Sequence, residues 1–86
     1  MHELGLAESI LTIVGEHVPA NRQADVRRVR VVVGDLAGVL GESLVFCFDA
    51  LAPLSPFPQA SLAIEPVPGR DLRVADIELH DDGVAP

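Results

Sequence analysis

The chain has 86 residues, a mass of 9.1 kDa and a net charge of −7, from 13 acidic residues against six arginines and no lysine. This length accommodates one domain, because a smaller core could not offset the conformational entropy of folding. With 49% apolar residues the chain is expected to fold, while its negative charge and lack of Trp and Tyr argue against a nucleic-acid partner.

The single cysteine, Cys47, excludes an intramolecular disulfide and any Cys-based zinc ribbon or iron–sulfur site made by these 86 residues alone. It has no second thiol or assembled catalytic partner, so we interpret it as a small buried apolar side chain and not as a nucleophile. We expect a reducing, cytoplasmic setting without a signal peptide, a membrane span or a membrane partner.

The first half of the sequence predicts a helix, a strand and a second helix. Apolar residues recur at spacings of three and four over residues 4–18, which predicts an amphipathic helix that ends at Pro19. Residues 26–33 are rich in valine and predict a strand, with alternate valines on one face and arginines on the other. Residues 42–51 again show helical spacing and are followed by Pro53.

The second half predicts two strands, at residues 62–65 and 72–79. Residues 66–70 are expected to form a turn that joins them as adjacent antiparallel strands, and Pro66 is expected to end the first of them. A change of apolar phase predicts a bulge near Ala75 and Asp76. Residues 81–86 are expected to form a flexible acidic tail.

The element order is therefore α-β-α-β-β, which predicts an α+β fold with two helices packed on one face of a three-stranded sheet. Its core is expected to consist of aliphatic residues, with Phe46, Phe48 and Phe57 as the large rings.

The N-terminal pair Met1 and His2 is the clearest candidate for metal binding. The α-amine of Met1, the amide nitrogen of His2 and its imidazole Nδ1 can reach one metal in fused chelate rings, and such nitrogen-rich coordination suits Ni(II) or Cu(II). The bulky His2 should also prevent removal of Met1. The alternative is that His2 and Glu3 only begin the helix, where an acidic side chain interacts favourably with the helix dipole.

The other histidines are weaker candidates. His17 would lie about 22 Å from His2 along a straight helix, so it is interpreted as a cap at the helix end. His80 with Asp81 and Asp82 could form a secondary metal site, although acidic tails more often only interact with solvent. The sequence leaves open whether the chain is a monomer or a homodimer that shares a metal.

Three ordered segments resemble the HypA/HybF family of hydrogenase maturation proteins: MHELGLAESI at residues 1–10, VRVVVGDLAGV at 29–39 and ESLVFCFD at 42–49. Residues 60–65 and 71–78 resemble the family's remaining strands. The resemblance implies a nickel-binding domain over residues 1–80, in which Met1 and His2 hold Ni(II) and Glu3 is a neighbour that the site needs. It also implies two partners, a GTPase of the HypB type and the large subunit of a [NiFe] hydrogenase.

The sequence departs from the family pattern at two places. The family inserts a zinc ribbon with two Cys-x-x-Cys pairs between its last two strands, where this chain has only residues 66–70, so no structural zinc is expected. Leu40 occupies a position where the family often has an acidic residue, with Glu42 as the nearest replacement.

We therefore expect a nickel metallochaperone for hydrogenase maturation and not an enzyme, because no catalytic motif is present. The alternative is an interaction module that keeps the docking surface for a GTPase or hydrogenase subunit but binds no metal.

Overall fold

Two α-helices and three β-strands follow one another in the order predicted from the sequence. The computed structural model describes residues 2–80, and the predicted tail at residues 81–86 lies outside them. The elements are α1 (Glu3–His17), β1 (Val26–Gly34), α2 (Gly41–Leu51), β2 (Ser61–Val67) and β3 (Leu72–Leu79), with 3₁₀ turns at Ala20–Asp25 and Ala52–Leu54. The helices pack on one face of a mixed sheet, which confirms the predicted α+β fold.

Helix α1 forms because its apolar residues lie on one side. Ala7, Ile10 and Val14 are spaced by three and four residues and are buried against the rest of the core. Val18 already has an extended backbone, and Pro19 cannot continue the helix because it lacks an N–H. No helix within residues 2–80 is long and apolar enough to cross a membrane.

Strand β1 is the central strand of the sheet, whose order is β2-β1-β3. Val29, Val31 and Val33 are buried beneath the helices, while Arg28 and Arg30 are exposed on the opposite face. The alternation over residues 28–31 confirms the sequence-based assignment of the two faces, but Val32, on the side of the arginines, is also buried. Because the core face is continuous only in this register, a slip of one residue would bury the arginines.

The predicted pairing of β2 with β3 is wrong. Strand β2 runs parallel to β1, and β3 runs antiparallel to β1 on its other side, so the two outer strands do not touch as a hairpin. Residues 68–71 consequently cross the end of β1 at Gly34. A parallel neighbour cannot be reached through a tight turn, and α2 supplies the crossover between β1 and β2 that this arrangement needs.

Backbone hydrogen bonds fix this crossing segment. The amide of Gly34 donates to the carbonyl of Asp71 at 2.6 Å, and the amide of Leu36 donates to the carbonyl of Gly69 at 2.8 Å. The carboxylate of Asp35 accepts a hydrogen bond from the amide of Gly69 at 2.9 Å. Gly69 has a φ of 98°, a conformation that other residues adopt only with strain.

Two further details of the strands differ in how well they were predicted. Pro66 does not end β2 but continues it, opposite Val33, which is tolerated because β2 is an edge strand and a proline there removes no ladder bond. The predicted bulge is confirmed: Arg30 pairs with Asp76 and Val31 with Val74, so Ala75 is the extra residue.

The open face of the sheet carries a ladder of ion pairs. Arg28 contacts Glu78 at 3.0 Å, and Arg30 lies between Glu65 and Asp76 and pairs with both. The hydrogen bond from Arg30 lowers the pKa of the Asp76 carboxyl below its ordinary range. All of these side chains are substantially exposed, so each pair contributes little to stability by itself.

The expectation that all three phenylalanines enter the core is wrong for Phe46. Phe48 and Phe57 are buried, whereas Phe46 is 75% exposed. Leu44 and Phe48 are four residues apart and share the inner face of α2, so Phe46, between them, projects to the other side. Cys47 is partly buried against the core, as its interpretation as a small apolar side chain requires.

Candidate metal centre

His2 lies immediately before α1 and is exposed. Its backbone is extended (φ −89°, ψ 111°), and its side chain makes no capping hydrogen bond to the helix. The first helical hydrogen bond runs from the amide of Leu6 to the carbonyl of His2, at 3.1 Å. The helix therefore uses the carbonyl of His2 but not its imidazole, and the amides at a helix start have no partner within the helix.

Glu3 connects the start of α1 to the start of α2. Its Oε2 accepts a hydrogen bond from the backbone amide of Leu40 at 3.0 Å. This hydrogen bond is the main cause that lowers the pKa of the Glu3 carboxyl below its ordinary range. Leu40 is the residue that precedes α2, so a charged acceptor at this point also interacts favourably with the positive end of that helix.

This hydrogen bond places Leu40, the residue before α2, beside Glu3 at the start of α1. Leu40 contributes a backbone N–H there, and its side chain is 68% exposed. Glu42 follows two residues later in the first turn of α2 and is exposed. Sequence reasoning did not find the role of Leu40, because a backbone donor leaves no signal in the residue type.

The structure does not gather the other candidate ligands. Within residues 2–80, no three side chains of His, Cys, Asp or Glu lie close enough together to hold a metal ion. His17 caps α1 as predicted, since its Nδ1 hydrogen-bonds the carbonyl of Ile13 at 2.8 Å. The amide of His80 binds the carbonyl of Asp25 at 2.6 Å, and the residues after His80, like Met1, lie outside the described residues.

Comparison with known proteins assigns the family. Residues 1–78 match a protein-family model described as "Hydrogenase/urease nickel incorporation, metallochaperone, hypA". The chain belongs to the HypA family. This is a family of metallochaperones and not of enzymes, and the resemblance seen in the sequence is thereby confirmed.

Curated relatives support the same assignment. The chain is 40% identical over 65 residues to the hydrogenase maturation factor HypA of Psychromonas ingrahamii, which covers 76% of this chain and 57% of that protein. It is 41% identical over 70 residues to the HypA of Azotobacter chroococcum, covering 81% of this chain and 62% of that protein. The chain thus spans about three fifths of the length of these HypA proteins.

Two solved structures share the fold. The solution structure of the Ni metallochaperone HypA from Helicobacter pylori superposes with a TM-score of 0.68 at 20% identity, covering 88% of this chain and 72% of that one. A second solution structure of a HypA protein gives a TM-score of 0.61 at 22% identity, covering 99% and 76%. In this HypA-family chain the segment between β2 and β3 is only residues 68–71, so residues 2–80 include no zinc ribbon.

Proposed function

We propose that the chain is a nickel accessory protein for the maturation of [NiFe] hydrogenase. It holds Ni(II) through the amine of Met1 and through the amide nitrogen and imidazole of His2, and it passes the ion to a partner. The observation that carries this proposal is the state of His2, which is exposed at the start of α1 with its imidazole not engaged in capping. Membership of a family described by nickel incorporation supports nickel as the metal.

The available donors suit nickel better than a harder or a more thiophilic metal. Within residues 2–80 side chains alone form no cluster of three ligands, so we propose that backbone nitrogen completes the site at the N-terminus. Amine, amide and imidazole nitrogens together favour flat coordination, which Ni(II) accepts. Because His2 is exposed, the ion remains accessible from outside, as transfer to another protein requires.

Glu3 has a supporting role in this proposal. One of its carboxylate oxygens is already engaged by the amide of Leu40, which fixes the direction in which the chain leaves α1 toward His2. The second oxygen can still face the metal. We therefore assign Glu3 first to positioning of the N-terminal arm and only secondarily to ligation.

The proposed partners are a GTPase of the HypB type and the large subunit of a [NiFe] hydrogenase, in the cytoplasm. The family description and the names of the curated relatives, which are hydrogenase maturation factors, support this assignment. We propose that no structural zinc takes part, because the direct link between β2 and β3 replaces the segment that would hold it and the sequence has a single cysteine.

Calorimetric titration with Ni(II) tests the site. Untagged protein should bind one nickel ion with about micromolar affinity or tighter. His2→Ala and a variant with one residue added before Met1 should both lose this binding, because each removes a donor from the chelate. His17→Ala is the matched control, since His17 is also exposed and lies at the opposite end of α1, and it should bind like wild type.

The alternative function predicts a different outcome. If the untagged protein binds no nickel but still binds the GTPase, the chain is an interaction module without a metal. If His17→Ala abolishes binding and His2→Ala does not, the metal site lies elsewhere and the N-terminal assignment is wrong.

A further inference from the structure

The exposed large apolar side chains of residues 2–80 lie on the helices or on the segments that flank α2, and not on the strands. They are Leu4, Ile13, Leu36, Leu40, Phe46 and Leu54. Phe46 is 75% exposed and Leu54 is 87% exposed, the two largest values. Covering such side chains with another apolar surface lowers the free energy of the system.

Phe46 and Leu54 belong to one side of α2 and the turn that follows it. We call this side the α2 ridge: Glu42, Phe46, Asp49, Ala50, Pro53 and Leu54, all exposed. Successive members are one, three or four residues apart, so the helical ones lie above one another. Beside the ridge Glu42 also lines a shallow apolar hollow with Val45, Ile64 and Pro66.

The charge of the helices is entirely negative. Helices α1 and α2 together contain five carboxylates and no Lys or Arg: Glu3, Glu8, Glu16, Glu42 and Asp49. All six arginines lie outside the helices: Arg22, Arg27, Arg28, Arg30, Arg70 and Arg73. The ion pairs within residues 2–80 involve neither carboxylate of the ridge.

The α2 ridge thus combines two features that the open face of the sheet lacks. Its large apolar side chains are uncovered, and in the described part of the chain no arginine forms an ion pair with the flanking carboxylates of Glu42 and Asp49. On the open face, by contrast, arginines and carboxylates pair with each other. Interfaces typically join an apolar centre to a rim of complementary charge.

We propose that the α2 ridge is the docking surface for a protein partner whose matching face carries apolar side chains flanked by Lys or Arg. The ridge of a second copy does not fit, because it would set Glu42 and Asp49 against the same two carboxylates. An anionic membrane surface is excluded by the same repulsion. The inference concerns recognition and does not depend on nickel binding at the N-terminus.

A synthetic amphipathic helix of leucine and lysine serves as the probe, with a leucine and glutamate helix of equal length as its control. Titration of ¹⁵N-labelled protein should shift amide resonances of residues 42–54 with the lysine helix only. Phe46→Ser and Leu54→Ser should each weaken binding about tenfold or more, because both remove apolar area at the contact. These residues are exposed, so the variants should fold like wild type.

Leu36→Ser is the matched control, because Leu36 is 66% exposed but lies outside the ridge, and its affinity for the lysine helix should be unchanged. Equal binding of the glutamate helix, no saturable binding of the lysine helix, or shifts centred outside residues 42–54 would overturn the proposal. So would self-association, or attachment to phosphatidylglycerol vesicles, that Phe46→Ser abolishes. Nickel binding should be the same in Phe46→Ser and wild type, which separates this inference from the proposed function.

Discussion

Replacement of Gly34 by alanine is the sharpest test of the way β2 connects to β3. A β-carbon at Gly34 would lie 2.2 Å from the carbonyl oxygen of Gly69 and 2.8 Å from the amide nitrogen of Asp71. Both are backbone atoms of the crossing segment, so no side chain can rotate away. The segment would have to retreat by about 1 Å to reach an ordinary contact distance.

That displacement affects the hydrogen bonds that hold the segment over β1. They include the bonds from Gly34 to Asp71, from Leu36 to Gly69 and from Gly69 to the Asp35 carboxylate. Loss of a hydrogen bond costs about 1 kcal/mol, and overpacking of a close contact costs about 1 to 3 kcal/mol. Gly34→Ala should therefore lower the free energy of unfolding by about 2 to 4 kcal/mol, a large part of a small domain's stability.

Urea unfolding followed by circular dichroism measures this change. With an m value of about 1.5 kcal/mol/M, the midpoint should fall by about 2 M. Gly15→Ala is the control, because its β-carbon would meet only the Phe57 ring at 3.6 Å, an ordinary contact, within α1. It should raise stability by about 0.5 to 1 kcal/mol. If Gly34→Ala unfolds at the wild-type midpoint, the segment does not cross Gly34 and the strand order is wrong.

Three further predictions follow from single contacts. Phe48→Ala should lower the free energy of unfolding by about 3 to 5 kcal/mol, and Phe46→Ala by less than about 0.5 kcal/mol, because only the Phe48 ring is buried. Equal losses of stability in chemical denaturation would contradict the assigned faces of α2. Glu3→Ala should speed hydrogen exchange of the Leu40 amide, while Glu3→Gln, which keeps an acceptor, should not; unchanged exchange in Glu3→Ala would mean that the hydrogen bond is absent. The pKa of Asp76 is lowered in the folded state, so its contribution to stability is present above the carboxyl's unfolded pKa and is lost as pH falls through the folded value. Asp76→Asn should therefore make the free energy of unfolding fall less steeply with decreasing pH. The same slope in Asp76→Asn and wild type would refute this.

Local patterns predicted the elements well. The spacing of apolar residues predicted each end of α1 and α2 with an error of no more than one residue. The change of apolar phase in β3 predicted the bulge near Ala75. These features are set by residues near one another in sequence. The pairing of strands is not: β2 and β3 are separated by a short link, yet each pairs with β1, and only the hydrogen bonds at Gly34 show why.

The candidate site was only partly predictable for the same reason. His2 was predicted as a ligand from its position in the sequence and from imidazole chemistry, and it stays a prediction. The contact between Glu3 and Leu40 joins residues 37 positions apart through a backbone donor, so it cannot be predicted from the residue types. The exposure of Phe46 was missed because composition alone favoured an aromatic core, although its place between Leu44 and Phe48 on a helix argues for the opposite face.

The count of protons released per nickel ion tests the central claim most directly. It is obtained from calorimetric titrations of the untagged protein at pH 7 in buffers of different ionisation enthalpy. Binding through the Met1 amine and the His2 amide nitrogen must displace the amide proton. It must also displace a proton from the amine, which is mostly protonated at pH 7 because α-amines have a pKa of about 8. The account predicts release of about two protons, lost in His2→Ala. Release of less than about half a proton would mean that an imidazole and a carboxylate alone hold the metal, and the proposed chelate would be wrong.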